Sequence, residues 1–124
     1  MNKQLLSAAA VVASLTCGLS FAAGACTGCT IKSIGAGPYY DSICTSGACI
    51  FVAMESTVTG RPSCSSNSYW HFVFDISTAS GRATYALLLA AQASDKPLNI
   101  SGSNSCILSP SGFVENLYFA NYAD

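Results

Sequence analysis

Charge is scarce in this sequence. Of 124 residues only 9% are charged, with five Lys and Arg against six Asp and Glu. Phosphate binding needs clustered Lys and Arg, so the balance excludes a nucleic-acid partner. Histidine is nearly absent too, His71 being the only one. A Ser–His–Asp set needs a base oriented by a carboxylate and a nucleophile within hydrogen-bond reach. His71 and Asp75 share one face of a predicted strand but stand ~13 Å apart along it. Asp41, Glu55, Asp75, Asp95 and Glu115 form no spaced acid pair, and Glu55 and Glu115 read as solvated or hydrogen-bonding groups at strand ends. Neither a phosphate loop nor a dinucleotide fingerprint occurs. With no catalytic constellation, the expectation is a protein that is not an enzyme and takes no cofactor.

What is present is apolar and small. Hydrophobic residues make up 51% of the chain, which argues against disorder. The few charges leave a surface of Ser, Thr, Asn, Gly and aromatic rings, suited to neutral ligands such as sugars or to a protein partner.

The N-terminal segment reads as an export signal. Lys3 supplies a short positive region, Leu5 to Leu19 is uncharged and Ala-rich, and small residues follow. Ser20-Phe21-Ala22 and Ala23-Gly24-Ala25 both fit a small-x-small cleavage site, so the mature chain begins at Ala23 or Cys26. The apolar run is short for a membrane span, which needs ~20 residues, and no span is expected. Residues 1–25 are assigned to the signal and 26–124 to a single domain, secreted or periplasmic. Lys3 is the only charge in 1–25, so its removal takes the formal net charge from −1 to −2. A lipid-modified Cys26 is the competing reading. Against it, Ala23 stands where a larger aliphatic residue is usual, and lipidation would leave an unpaired thiol.

Six of the seven cysteines fall outside the signal: Cys26, Cys29, Cys44, Cys49, Cys64 and Cys106. An even number in a small exported domain reads as a disulfide framework, with 15 pairings open. Cys26-x-x-Cys29 followed by Cys44-x4-Cys49 also has a look of zinc-ligand spacing. The oxidising compartment and the wide second pair weigh against metal, and none is expected.

Along the remaining chain, Thr30 to Ile34 is a short alternating stretch, broken by Gly35-Ala36-Gly37-Pro38. Tyr39 to Ser42 and Thr45 to Gly47 read as loop. Ala48 to Met54 is a buried strand, and Ser56 to Asn67 is a loop. Tyr69 to Ile76 alternates, with Trp70, Phe72, Phe74 and Ile76 on one face. Ser77 and Thr78 can cap a helix running to about Ser94, which Asp95-Lys96-Pro97 ends. Leu98 to Ser101 and Phe113 to Tyr122 are the last strands. The fold class is therefore mainly β with one helix. The natural architecture is a five-stranded OB-type barrel with the helix between strands 3 and 4. On that helix Leu88 and Leu89 form one stripe and Ala86, Leu87 and Ala90 lie on another face. One small barrel can cover only one of these, so Ala86, Leu87 and Ala90 are expected to meet another subunit.

The stretch Trp70-His71-Phe72-Val73-Phe74-Asp75, with Gly81, Tyr85-Ala86-Leu87-Leu88-Leu89-Ala90-Ala91-Gln92-Ala93, Leu98-Asn99-Ile100-Ser101-Gly102, Cys106, Glu115 and Tyr118, resembles the B subunits of pentameric bacterial toxins. The similarity is to the subtilase-cytotoxin and pertussis-like group and to related stand-alone small exported proteins. It spans roughly half of the mature chain. It implies an OB fold, a homopentamer with its helices near a central pore, a glycan or glycoprotein receptor, and a catalytic A subunit as companion. It also implies a Cys64–Cys106 bridge, leaving Cys26, Cys29, Cys44 and Cys49 to pair among themselves, with bridges expected from the first segment to the Cys44–Cys49 loop. In the toxin subunits a serine or nearby polar residue at the start of the second strand binds sialic acid. Here Thr45, Ser46 and Gly47 stand there, flanked by extra cysteines, so that specificity does not carry over.

Sugars are recognised by aromatic faces flanked by amide and hydroxyl groups, and OB barrels bind oligosaccharides on the strand 2–3 face and its loops. The candidate glycan-binding residues are Tyr39, Tyr40, Ser46, Arg61, Asn67 and Tyr69.

Overall fold

The apolar run Cys49–Met54 forms strand β3, every residue of which is buried. Strand alternation sends its side chains to two cores. Ile50, Val52 and Met54 enter a larger core with Phe72, Phe74, Leu88, Leu98 and Ile100. Cys49 and Phe51 enter a smaller one with Cys44, Val73 and Val114. β3 therefore has no solvated face, and the rest of the chain is arranged around it.

The computed structural model describes residues 23–124; of the segment 1–25 expected to be an export signal, residues 1–22 lie outside the described residues. In chain order the elements are β1 (Ala25–Cys29), β2 (Ile31–Gly35), α1 (Pro38–Ser42), β3, β4 (Phe72–Asp75), α2 (Ala79–Ala93), β5 (Leu98–Gly102) and β6 (Glu115–Tyr122). They build one sheet in the order β1-β5-β6-β4-β3-β2. All pairings are antiparallel except β4 with β6.

The mainly-β architecture with α2 inserted is as the sequence implies. Several finer expectations are corrected. The sheet has six strands rather than five and is not closed, because β1 and β2 stand at opposite edges. Only Thr30 separates those two strands in the chain. A second helix, α1, occupies the segment read as loop: Pro38, with φ already fixed for a helix, opens it after Gly37 at φ 113.

Trp70 does not share a face with Phe72, Phe74 and Ile76. Asn67 Oδ1 accepts the backbone N–H groups of Tyr69 (2.9 Å) and Trp70 (2.8 Å). That takes both residues out of the ladder, and β4 starts only at Phe72. Trp70 packs instead on the smaller core.

Three disulfides are present: Cys26–Cys29, Cys44–Cys49 and Cys64–Cys106. The first two correct the expected pairing, in which the first segment was bridged to the Cys44–Cys49 loop. An extended strand would hold residues 26 and 29 about 10 Å apart. Here Gly28 at φ 66 and a bulge between Cys26 and Cys29 bring their Cα atoms to 5.9 Å, within disulfide range.

Thr78 caps α2 by accepting the Gly81 N–H at 3.0 Å. Successive helical residues are rotated by about 100°, which divides the expected Leu88–Leu89 stripe. Leu88 is fully buried and Leu89 is 42% exposed. Leu87 is half-buried and packs on the larger core, while Ala86 and Ala90 face outward. The outer face of α2 thus carries Ala86, Leu89 and Ala90. No helix among the described residues is long and apolar enough to cross a membrane.

Candidate functional site

Four aromatic rings meet at the junction of α1, β2 and the 67–71 segment. Tyr39 and Tyr40 lie edge-on with centroids 5.2 Å apart, Tyr40 and Trp70 at 5.4 Å, and Trp70 and Tyr69 at 4.9 Å. The row is seated on the core through Tyr40, which packs on Phe51 at 5.2 Å. Its ends are open, Tyr39 being 72% and Tyr69 40% exposed, and its middle is half-buried.

Gly35 makes the row possible. A Cβ there would come within 2.7 Å of the Tyr40 ring and 3.0 Å of Trp70. Tyr69 is fixed at the far end by a 2.6 Å hydrogen bond between its hydroxyl and that of Ser33. Lys32 Nζ lies 5.2 Å from the same ring, a cation–π distance. The ridge therefore offers ring faces and edges, hydroxyl groups and one cation.

The structure brings Tyr39, Tyr40 and Tyr69 together and gives the other three candidates different work. Arg61 donates to Ser65 Oγ from Nε (3.2 Å) and Nη2 (3.1 Å) and to the carbonyls of Asn67 (2.9 Å) and Trp70 (3.4 Å). Asn67 spends Oδ1 on Tyr69 and Trp70 and donates from Nδ2 to the Gly112 carbonyl at 2.8 Å. Both residues hold the segment that presents Tyr69 and Trp70. Ser46 is engaged in its own disulfide loop, where its hydroxyl lies 3.2 Å from Cys44 Sγ and accepts the Ala48 N–H at 3.4 Å. Trp70, Lys32, Ser33 and Gly35 complete the ridge without having been singled out. Trp70 was hidden by the alternation that assigned it to the core, and the other three carry no local signal.

A concavity of about 250 Å³ opens elsewhere, between the start of α2 and β6, and is lined by polar groups including Asp75, Thr78, Thr84, Ser103, Asn116 and Tyr118. That is smaller than the pockets of drug-sized ligands. Its polar groups are largely spoken for. Asp75 Oδ1 accepts the Ser77 N–H at 2.7 Å, and the Ser77 contacts hold its carboxyl below the ordinary range. Thr84 donates to the Ser80 carbonyl at 2.9 Å, and Asn116 Oδ1 accepts the Leu108 N–H at 3.1 Å.

Two buried or half-buried titratable groups are structural. His71 Nδ1 accepts the Met54 N–H at 2.9 Å. Burial, then the charges of Arg61 and Lys32, push its pKa down. Glu115 is fully buried. Burial raises its carboxyl, against the N–H groups of Asn104 and Gly24 and the charge of Arg61. Among the described residues, no three His, Cys, Asp or Glu side chains are grouped to hold a metal ion. No protein-family model matches the chain, and comparisons with curated proteins and with solved structures return no match.

Proposed function

We propose that this chain is an exported, disulfide-bonded module of OB type that binds glycans on the Tyr39–Tyr40–Trp70–Tyr69 ridge, in the manner of a toxin receptor-binding B subunit. The observation that carries the reading is the row of four packed rings with exposed ends, flanked by Lys32 and Ser33. Pyranose C–H faces stack on such rings, and neighbouring hydroxyls take up the sugar's own. The OB reading is supported by connectivity. If β1 and β2, parted only by Thr30, are taken as one bent strand, that strand pairs with β3 at one end and β5 at the other. The parallel β4–β6 pair and the helix before β5 also suit that fold.

The test is a glycan array probed with the disulfide-bonded protein and with Tyr39→Ala, across sialylated and neutral panels. Binding by the wild type and its loss in the variant is the expected result; no binding above background on any panel sinks the proposal.

The second reading is an interaction protein that oligomerises through α2 without a sugar site. It is favoured by the outward Ala86, Leu89 and Ala90, an apolar patch on a helix face whose one charge is Arg82, a turn before Ala86. A homopentamer and a companion catalytic subunit belong to the resemblance and remain part of the proposal. The mass of the protein in solution tests the first, and co-purification from the native host tests the second.

A further inference from the structure

Glu115, at the first position of β6, is fully buried. A buried carboxylate must be hydrogen-bonded to be tolerated. Its partners are backbone amides: the Gly24 N–H reaches Oε1 at 3.0 Å and Oε2 at 3.2 Å, and the Asn104 N–H reaches Oε2 at 2.8 Å. The chain is shaped around this contact. A Cβ on Gly24 would come within 2.6 Å of Oε1, and one on Gly102 would overlap the carboxyl group itself.

The rest of the 23–25 tripeptide is fixed as firmly. The Gly24 carbonyl accepts the Gly102 N–H at 2.8 Å. Ala25 pairs with Ser101 in β1–β5 and exchanges backbone hydrogen bonds with Thr59 at 2.8 and 3.0 Å. The Ala23 carbonyl oxygen lies 2.8 Å from where a Cβ on Gly60 would stand.

From this we infer that the mature chain begins at Ala23, and that Glu115 is the seat built for its first residues. The inference rests on the reading of the N-terminal segment as an export leader, and moves its end from residue 25 to residue 22. Water, at a membrane-bound signal endopeptidase, splits the Ala22–Ala23 amide, leaving a carboxylate on Ala22 and an ammonium on Ala23. Ser20 and Ala22 supply the small residues such an enzyme requires. The new ammonium then lies one residue from the N–H that binds Glu115 and adds positive charge near a buried carboxylate.

The alternative cut, before Cys26, removes Gly24 and Ala25. It strips Glu115 of the amide that contacts both its oxygens and removes β1's first residue. Lipidation at Cys26 requires that same cut and a free thiol, yet Cys26 is disulfide-bonded to Cys29 and 4% exposed. The tripeptide therefore belongs to the folded domain rather than to the discarded leader.

The test has two arms. The full-length chain is expressed in an export-competent bacterium, and the exported product is read by intact mass and N-terminal sequencing. A first residue of Ala23 supports the inference, and one of Cys26, free or lipidated, overturns it. A product retained in the cytoplasm with its leader overturns the export reading and with it the cut. The seat is judged separately with oxidatively refolded chains beginning at Ala23 and at Cys26. The shorter chain should melt several degrees lower, and the gap should shrink when both carry Glu115→Gln, which leaves no buried charge to strand. Equal melting temperatures with native Glu115 overturn the seat whatever the first arm gives.

Discussion

The Met54 N–H donates to Nδ1 of His71 at 2.9 Å, so an imidazole stands where the carbonyl of a strand neighbour would be. The backbone N–H of His71 in turn donates to the Val52 carbonyl at 2.9 Å. Together they carry the β3 edge past the start of β4, where Tyr69 and Trp70 have left the ladder. The acceptor role requires a neutral ring with its proton on Nε2.

A pH dependence follows with a definite sign. The folded pKa of His71 lies below its ordinary 6.5, so on acidification the unfolded chain takes up the proton first. Stability is complete above 6.5 and is lost as pH falls through the folded value. Glu115 is shifted upward and so contributes a slope of the opposite sign, its stability lost as pH rises through the folded value. The His71 part is isolated by comparing wild type with His71→Gln in urea melts from pH 7.5 to 5. The variant should show a flatter profile on the acid side. An unchanged slope would mean that the ring is not the neutral acceptor described.

The three disulfides should differ in weight. Cys64–Cys106 spans 42 residues, against 3 for Cys26–Cys29 and 5 for Cys44–Cys49. In the chain-entropy account the long loop contributes about 4 kcal/mol and each short one about 2. Paired Cys→Ala variants, measured by guanidinium unfolding, should keep that order. A short-loop variant losing more than Cys64→Ala with Cys106→Ala would contradict it.

Legibility in the sequence followed the residues whose partners are near in the chain. β3 was evident because an unbroken apolar run needs no partner to be recognised, and α2 because Thr78 and Asp95-Lys96-Pro97 mark its ends. β1 was hidden, since Ala-Cys-Thr-Gly-Cys has no alternation and is held by backbone pairing with β5. Trp70 was misplaced because the amide of Asn67, not the pleat, decides where the strand starts. Glu115 looked like any strand-end carboxylate. Its partner Gly24 lies 91 positions away, and no local spacing encodes such a contact. Leu89 shows the same limit on a helix, where periodicity can be read along the chain but not which stripe the sheet covers.

The outer face of α2 makes assembly testable. Ala86 and Ala90 are exposed beside Leu89, and small residues permit close approach of a second chain. Light scattering should give the wild type a mass of more than one chain at micromolar concentration. Ala90→Glu should reduce it to one, with little change in the monomer's stability, because exposed substitutions usually stay within ~0.5 kcal/mol. A monomeric wild type removes the assembly reading and weakens the likeness to ring-forming subunits.

The ridge can be disturbed without touching any residue a ligand would contact. Gly35 is buried, and a methyl group there would press on Tyr40 at 2.7 Å and Trp70 at 3.0 Å. Tyr40 cannot retreat, being packed on Phe51, so Gly35→Ala should tilt both rings outward and break the row. Overpacking of this kind costs about 1–3 kcal/mol, a loss the disulfide framework should tolerate. Tyr39→Ala removes a ring that is 72% exposed and should leave stability within ~0.5 kcal/mol of wild type. The two variants therefore separate geometry from folding. If glycans bind on the ridge, both lose binding, Gly35→Ala with a lowered unfolding midpoint and Tyr39→Ala without one. Wild-type glycan affinity in a folded Gly35→Ala would show that the alignment of Tyr40 and Trp70 is irrelevant to recognition, and the sugar site would have to be sought elsewhere on the surface.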